Sequence, residues 1–334
     1  MFEGKSICVT VPCYNEETQI RGVVESMPTF VDRICIVDDK SKDRTVDVVR
    51  ELQAKHPRVT LLKQKENAGV GAAIGAGYLW ARENNYDVTV VMAGDGQMDP
   101  RDLERVITPV VRDEVDYCKG NRFKYPDGLS KIPRVRKFGN FLLSALTKIA
   151  SGYWHVTDSQ TGYTAISLNA LWAIAPEKIY PRYGCPNDIL VKLNIAGMRV
   201  GEVPVNPLYG VGEQSKLHVR KVAGPIIWLV LRLWAFRIFR RYVIENGHPI
   251  IGVLLMALLA GGLWALTLVY VIVFWAIDGV IPKAALIVNG VSFITSAQFL
   301  LNAFQQDYEY NSELCVMLRG QVIRPEGEKA APKV

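Results

Sequence analysis

A carboxylate at the end of a short apolar run is the first residue with chemistry to offer. In TVVMAGDGQMDP, residues 89–100, the run breaks into a turn carrying Asp95, Gln97 and Asp99. Such a run reads as a buried strand reaching the edge of an α/β sheet, where ligands bind. An oxygen-bearing turn there suits a hard divalent cation, which takes several oxygen ligands; the sequence nearby supplies few. VPCYNEE places Tyr14, Asn15, Glu16 and Glu17 after a first strand, and VDDKSKDRT places Asp38 and Asp39 after a second. Carboxylates at strand ends accept hydrogen bonds from a base N–H or from ribose hydroxyls. Taken singly, these residues also serve as turn formers and helix caps, as Thr18 and Asp43 would. Several such loops at one edge exceed what capping needs. The glycine loop ENAGVGAA fits neither the dinucleotide fingerprint nor the Walker pattern; its small residues permit a close approach of backbone to a ligand or a neighbour.

The elements that must position these loops alternate. ICVTVP, RICIVDD, RVTLLKQ and DVTVVMAG read as strands; TQIRGVVESM, RTVDVVRELQAK, GVGAAIGAGYLWAREN and PRDLERVITPVVRD read as helices. That order predicts a mainly parallel sheet with helices on both faces, its polar loops gathered at one edge. Further on, RVRKFGNFLLSALTKIASG reads as an amphipathic helix, DSQTGYTAIS as a loop entering a strand, CPNDILVKLNIAG as a short helix and MRVGEVPV as the final strand. A helix beginning after Gly224, PIIWLVLRLWAFRIFRRY, puts its arginines on one half of the wheel and apolar residues on the rest, the pattern of a helix lying in a membrane interface.

Residues 250–277 and 284–304 contain no charged residue, and about 20 apolar residues suffice to cross a bilayer. The short joining loop makes them a transmembrane helical hairpin. Arg232, Arg237, Arg240 and Arg241 precede the first span, and Arg319, Arg324, Lys329 and Lys333 follow the second, so both tails are expected in the cytoplasm. The N-terminal apolar run is too short for a signal peptide. The expected organisation is a cytosolic domain over 1–220, a juxtamembrane interfacial helix over 221–245, the hairpin over 250–305 and a cytosolic tail over 306–334. The six cysteines show no zinc spacing and are expected as free thiols. A net charge of +6 with arginines clustered beside the spans points to anionic lipid as partner, with no nucleic acid.

PCYNEE, VDDKSKDRT, ENAGVGAA, AGDGQMDP, DSQTGY and GEQSK occur in the order found in family 2 glycosyltransferases of the GT-A fold. The chain resembles, more narrowly, the polyprenyl-phosphate glycosyltransferases such as dolichyl-phosphate mannose synthases, over about residues 6–241 and loosely into the hairpin. The resemblance implies a nucleotide-sugar donor, Mg²⁺ or Mn²⁺, a polyprenyl phosphate acceptor in the membrane, and homo-oligomers. It implies that Pro12, Tyr14 and Glu16 line the base and ribose pocket, that Asp38 or Asp39 contacts the base, and that Asn67 and Gly69 flank the nucleotide. The family's metal motif is Asp-x-Asp with a following x-Gln. Ala93 stands where its first Asp would be, leaving Asp95 and Gln97. Magnesium commonly keeps waters and takes substrate phosphate oxygens beside one or two carboxylates, so the missing carboxylate need not be replaced. For transfer, a lipid phosphate is already an anionic nucleophile. It needs cations that offset repulsion from the donor diphosphate. Arg122, Arg136 and Lys216, with Ser215 beside it, are the family-supported positions. Asp158 matches the Asp before a Gly-aromatic pair and would orient the acceptor region or steady a basic residue; Asp188 lies where relatives with sugar acceptors place a base, and would here be a donor-sugar or helix-cap contact as readily. His155 and His218 read as structural. The expected reaction is inverting transfer of a hexose from a UDP-sugar, with GDP-mannose as the alternative donor. A processive polysaccharide synthase is disfavoured by the lack of a Gln-x-x-Arg-Trp stretch. A nucleotide-sugar-binding protein without catalysis stands as the non-enzymatic reading.

Overall fold

The computed structural model describes residues 1–125, 134–208 and 219–318. Eight strands form one sheet: β1 (Ile7–Cys13), β2 (Arg33–Asp38), β3 (Val59–Lys63), β4 (Val88–Val91), β5 (Tyr117–Asn121), β6 (Thr164–Ser167), β7 (Val200–Pro204) and β8 (Cys315–Val316), in the order β3-β2-β1-β4-β6-β5-β7-β8. The first four pair in parallel. β6 then inserts antiparallel between β4 and β5, and β5, β7 and β8 resume parallel pairing. Every residue of β1 is buried, as expected where helices cover both faces of a parallel sheet.

Successive side chains of β1 alternate between two cores. Ile7, Val9 and Val11 meet α1 (Ile20–Glu25), α2 (Thr45–Lys55) and α4 (Leu103–Val111) on one face. Cys8 points to the other, beneath α3 (Val70–Glu83). There α3 also packs with α6 (Leu168–Ile174) and α7 (Cys185–Ile195). A Cβ on Gly77 of α3 would lie 2.1 Å from Thr10 Cγ2, so the helix sits on β1 at a distance only glycine allows. Amphipathic α5 spans Arg134–Ser151.

Three features depart from the sequence reading. β7 is not the last strand: β8, beyond the hairpin, pairs through Val200↔Cys315 and Gly201↔Val316. Two residues are too few to display a period. Helix α8 runs Val219–Arg237, with Gly224 and Pro225 inside it rather than at its start. Residues Ile238–Glu245 then widen into a π-helix, which breaks the 3.6-residue wheel on which the arginines shared a face. Arg237, at the end of α8, and Arg241, inside the π-helix, are buried, while Trp228, Phe236 and Phe239 remain exposed.

Helices α9 (Ile250–Asp278) and α10 (Lys283–Tyr310) are long and apolar enough to cross a membrane. Little of either is buried, unlike a soluble core helix. The chain divides into two compact units, Met1–Trp234 with Glu313–Val334, and Ala235–Ser312. Within the second, Asn289 Nδ2 donates to Trp264 O (2.9 Å) and Thr267 Oγ1 (3.0 Å), and Ser296 Oγ donates to Ala257 O (2.9 Å). These bonds supply what apolar packing between helices cannot supply in lipid. All six cysteines are free.

Candidate active site

Parallel pairing of β1 to β4 carries four loops to one edge of the sheet, around the point where strand order reverses between β1 and β4. Ligands of open α/β sheets bind at such a point. The loops are tied to one another. Asn15, held at φ 56°, receives no help from its own strand; its N–H donates to Ser41 Oγ (2.9 Å) and its Oδ1 accepts from Lys42 N (2.8 Å). Glu16 N donates to Thr45 Oγ1 at 2.8 Å. Asp38 accepts from Ser41 N at 3.1 Å.

Asp39 braces the glycine loop. Its two carboxylate oxygens accept the amides of Ala68 and Gly69, each at 2.9 Å, and Asn67 Nδ2 donates to Asp39 O at 3.1 Å. Burial pushes the Asp39 carboxyl upward, while those two amides and nearby Arg182 pull it down. Gly69 is required on two counts. Its φ is +104°, and an added Cβ would lie 2.6 Å from Pro181 O and 3.0 Å from Arg182 Cγ. Asp38 and Asp39 are both nearly fully buried, whereas Tyr14 and Glu16 are half-exposed beside buried Pro12.

The Asp95 turn joins this edge through Gly94 N, which donates to Pro12 O at 3.2 Å. Asp95 is half-buried and its Oδ1 accepts from Gln97 N at 3.0 Å. Asp99 is spent otherwise: it caps the short 3₁₀ turn Pro100–Asp102 through Arg101 N (3.0 Å) and pairs with the Arg101 guanidinium (2.7 Å). Arg101 and Asn206 hold its carboxyl low against the effect of burial, which acts upward. Among the described residues no three His, Cys, Asp or Glu converge on a metal position. The residues at hand are therefore one carboxylate and one amide, a donor set suited to an oxygen-seeking cation that completes its shell with phosphate oxygens and water.

A second cluster forms where β5 and β7 lie parallel. Asp158, wholly buried, takes Arg122 bidentately, through Nε and Nη2 at 2.8 Å each, and accepts Arg122 N at 3.1 Å. Beneath it Glu202 on β7 accepts Thr157 N (2.9 Å), Asp158 N (3.1 Å), Thr157 Oγ1 (3.0 Å) and Asn121 Nδ2 (2.7 Å). Lys124 Nζ lies 3.4 Å away. Lys119 is fully buried, donates to Thr161 O at 2.9 Å, and burial pushes its ammonium down to about 8 against the pull of Asp158 and Glu202. Sequence reasoning missed Lys119, Asn121, Arg182 and Glu202. The one signal was a charged residue inside each of two apolar strands, YCKGN and VGEVP.

Asp188, in the first turn of α7, accepts Tyr180 N at 2.8 Å and pairs with Lys192 at 2.7 Å through the same oxygen, Oδ2. That role holds the 180–188 turn together. His155 bonds Val200 O at 2.8 Å, and burial lowers its imidazole. Arg136 falls in the first turn of α5, with its side chain outside the described residues. Ser215, Lys216 and His218 lie outside them altogether.

A mainly parallel sheet with polar loops at its reversal point and a buried charged cluster alongside is the arrangement of an α/β ligand-binding fold. Residues 8–175 match the family described as Glycosyl transferase family 2, and the chain belongs to that family. It is a glycosyltransferase. It is 34% identical over 218 residues, covering 61% of this chain and 86% of the relative, to a UDP-N-acetylglucosamine–dolichyl-phosphate N-acetylglucosaminyltransferase of Methanococcus voltae. It is 31% identical over 232 residues, 66% of this chain and 89% of the relative, to an undecaprenyl-phosphate mannosyltransferase of Micrococcus luteus. Among solved structures, Mycobacterium tuberculosis glucosyl-3-phosphoglycerate synthase with Mn²⁺, UDP and phosphoglyceric acid shares the fold, with a TM-score of 0.51 at 17% identity over 70% of this chain and 78% of that one.

Proposed function

We propose that this chain transfers a hexose from a UDP-sugar to a polyprenyl phosphate at the cytoplasmic face of a membrane, with inversion, by single displacement. The observation that carries the reading is the Asp95–Gln97 turn at the end of β4, placed at the reversal of strand order in a chain that also has two membrane-length helices. The relatives act, by their names, on dolichyl and undecaprenyl phosphates, and the described apolar helices offer such a lipid a common phase.

In this reading Tyr14, Glu16 and buried Asp38 bound the base and ribose. The Asn67–Gly69 loop, fixed by Asp39, lies along the nucleotide with its backbone open to close approach. Asp95 and Gln97 would hold Mg²⁺ or Mn²⁺, a proposal supported by the Mn²⁺ and UDP in the M. tuberculosis neighbour; the ion would offset charge on the departing diphosphate. Arg122, oriented by Asp158, together with Arg136, Ser215 and Lys216, receives the acceptor phosphate and lowers its repulsion from the donor. Because that phosphate is already ionised, no residue need remove a proton, and Asp188 is free to serve the 180–188 turn.

Donor choice is the finer question. The M. luteus relative is named a mannosyltransferase, which keeps GDP-mannose as the second reading. Purified protein incubated with Mg²⁺ or Mn²⁺, a panel of UDP- and GDP-sugars and undecaprenyl or dolichyl phosphate should release nucleoside diphosphate only with lipid present and yield one new lipid mass. Lys216→Ala should abolish transfer and spare nucleotide binding. Nucleotide binding with no turnover on any lipid would overturn the catalytic reading in favour of a binding protein that has lost its second metal carboxylate at Ala93.

A further inference from the structure

The unit Ala235–Ser312 carries a buried polar knot at the base of its hairpin. Arg237, fully buried, pairs bidentately with Asp307 at 2.7 and 3.0 Å. Tyr242 donates to Asp307 Oδ1 at 2.5 Å, and Asn311 Nδ2 reaches the same oxygen at 3.1 Å. Asp307 is thus saturated: two cationic donors, a hydroxyl and an amide share its carboxylate. One helical turn on stands Arg241, 8% exposed. Its guanidinium lies over the Tyr310 ring at 5.1 Å, and its Nε is buried without a hydrogen-bond partner. Among the described residues Arg241 has no carboxylate partner; neighbouring Arg240, by contrast, is exposed and paired with Glu245 at 3.3 Å. The His248 ring packs on Tyr310 at 4.9 Å, and its Nδ1 accepts Ile250 N at 3.2 Å, which leaves Nε2 to carry the proton.

A desolvated guanidinium without a counter-charge is costly. Asp307 is already committed to Arg237, and among the described residues no other carboxylate pairs with Arg241, which leaves its charge open to an external anion. We propose that Arg241, flanked by Tyr310 and His248, binds the phosphate of an anionic lipid headgroup at the base of the hairpin. Arginine is the side chain suited to phosphate by geometry and weak hydration. Its position within the π-helix, a few residues before a membrane-length helix, is where basic pockets meet headgroups. The proposal rests on the helices entering a bilayer and is independent of which sugar or acceptor the other unit uses. Two lipids share the required chemistry, a bulk phospholipid and a polyprenyl phosphate.

Native mass spectrometry of the full chain in detergent, titrated with phosphatidylglycerol or phosphatidylcholine, reads the site directly. The wild type should retain phosphatidylglycerol over phosphatidylcholine. Arg241→Gln should weaken that retention about tenfold, the factor one charge-assisted hydrogen-bond pair is worth. Arg241→Lys, which keeps the charge but loses the planar fork and its stacking on Tyr310, should fall between the two, and Arg240→Gln should match the wild type. Should Arg241→Gln fail to fold, Tyr310→Leu, which keeps the charge and removes its stacking plane, should lower retention as well. Displacement of phosphatidylglycerol by an equimolar amount of undecaprenyl phosphate would identify the acceptor as occupant; resistance would identify the bulk phospholipid. Equal retention of the two phospholipids by the wild type, or undiminished preference in Arg241→Gln, would overturn the proposal.

Discussion

Replacing Asp158 by Asn keeps the volume of a fully buried side chain and removes its charge. Three hydrogen bonds from Arg122 are at stake, at 2.8, 2.8 and 3.1 Å, and the new amide NH₂ would face a guanidinium that can only donate. Removing one partner of a buried ion pair costs about 3–5 kcal/mol. The Arg122 side chain is 24% exposed and recovers part of that from water, so a loss of about 2 kcal/mol is the expectation. In a domain of this size that lowers Tm by about 4–8 °C. The effect on transfer should be larger than the effect on stability. In its proposed role, an Arg122 freed to swing would misplace the acceptor phosphate, and an error of about 1 Å costs about 100-fold in rate. Lipid-dependent release of nucleoside diphosphate should therefore fall about 100-fold in kcat/KM, while calorimetric donor affinity stays within about twofold. An Asp158→Asn, Arg122→Ala double variant should be scarcely worse than either single one, since both act through one contact. A variant that melts lower yet keeps kcat/KM would refute the argument and reduce the pair to a fold contact.

Other outcomes follow from the same geometry. Lys119, pushed by burial to about 8 in the folded chain, titrates near 10.4 when unfolded. Between those values the unfolded chain holds the extra proton, so this group's contribution to stability rises with pH. The difference in melting temperature between wild type and Lys119→Met should therefore shift in favour of the wild type from pH 7.5 to 10; a flat difference would refute the assignment. Ala93→Asp adds a second carboxylate beside Asp95 and should tighten Mn²⁺ binding in the absence of donor about tenfold, read by titration calorimetry, and unchanged binding would count against Asp95 as a metal ligand. Asp307→Asn leaves Arg237 buried without its counter-charge and should destabilise the hairpin base by about 3 kcal/mol, visible as earlier thermal unfolding in detergent.

What the sequence disclosed depended on whether a signal was periodic or local. Alternating strand and helix patterns were enough to predict a parallel sheet with its polar loops on one edge, because β1 to β4 obey a single rule. The two long apolar helices were legible from their length and lack of charge. Legibility ended where pairing is long-range. Glu202 reads as an interruption in an apolar strand. Its purpose appears only when β5 and β7 lie parallel and bring Asn121, Thr157 and Asp158 to it. β8 shows no pattern in two residues, and its strand state comes from Val200 and Gly201 across the sheet. The arginine wheel misread Arg241 because a π-helix changes the period itself, and no residue type in IFRRYVIE announces that; Arg237, still in α8, is buried against Asp307, a partner 70 residues away.

The arrangement of the loops bears on the order of events. Most hydrogen bonds at the sheet edge run between loops: Asp39 to the glycine loop, Asn15 to the Ser41 turn, Gly94 to Pro12. If these loops take the donor as proposed, its backbone contacts are in place before it binds, and little ordering cost is deferred to binding. The proposed cation position is the reverse, with one carboxylate and one amide and no convergent acidic cluster among the described residues. A cation held so sparsely gains most of its affinity from the diphosphate that accompanies it. Donor and metal should then bind with positive coupling, each raising the affinity of the other by the same factor. Measured separately, UDP affinity with and without Mn²⁺ and Mn²⁺ affinity with and without UDP should change by equal factors, and Ala93→Asp should shrink both together. Strong Mn²⁺ binding to the free wild type would break that chain of reasoning at its first link.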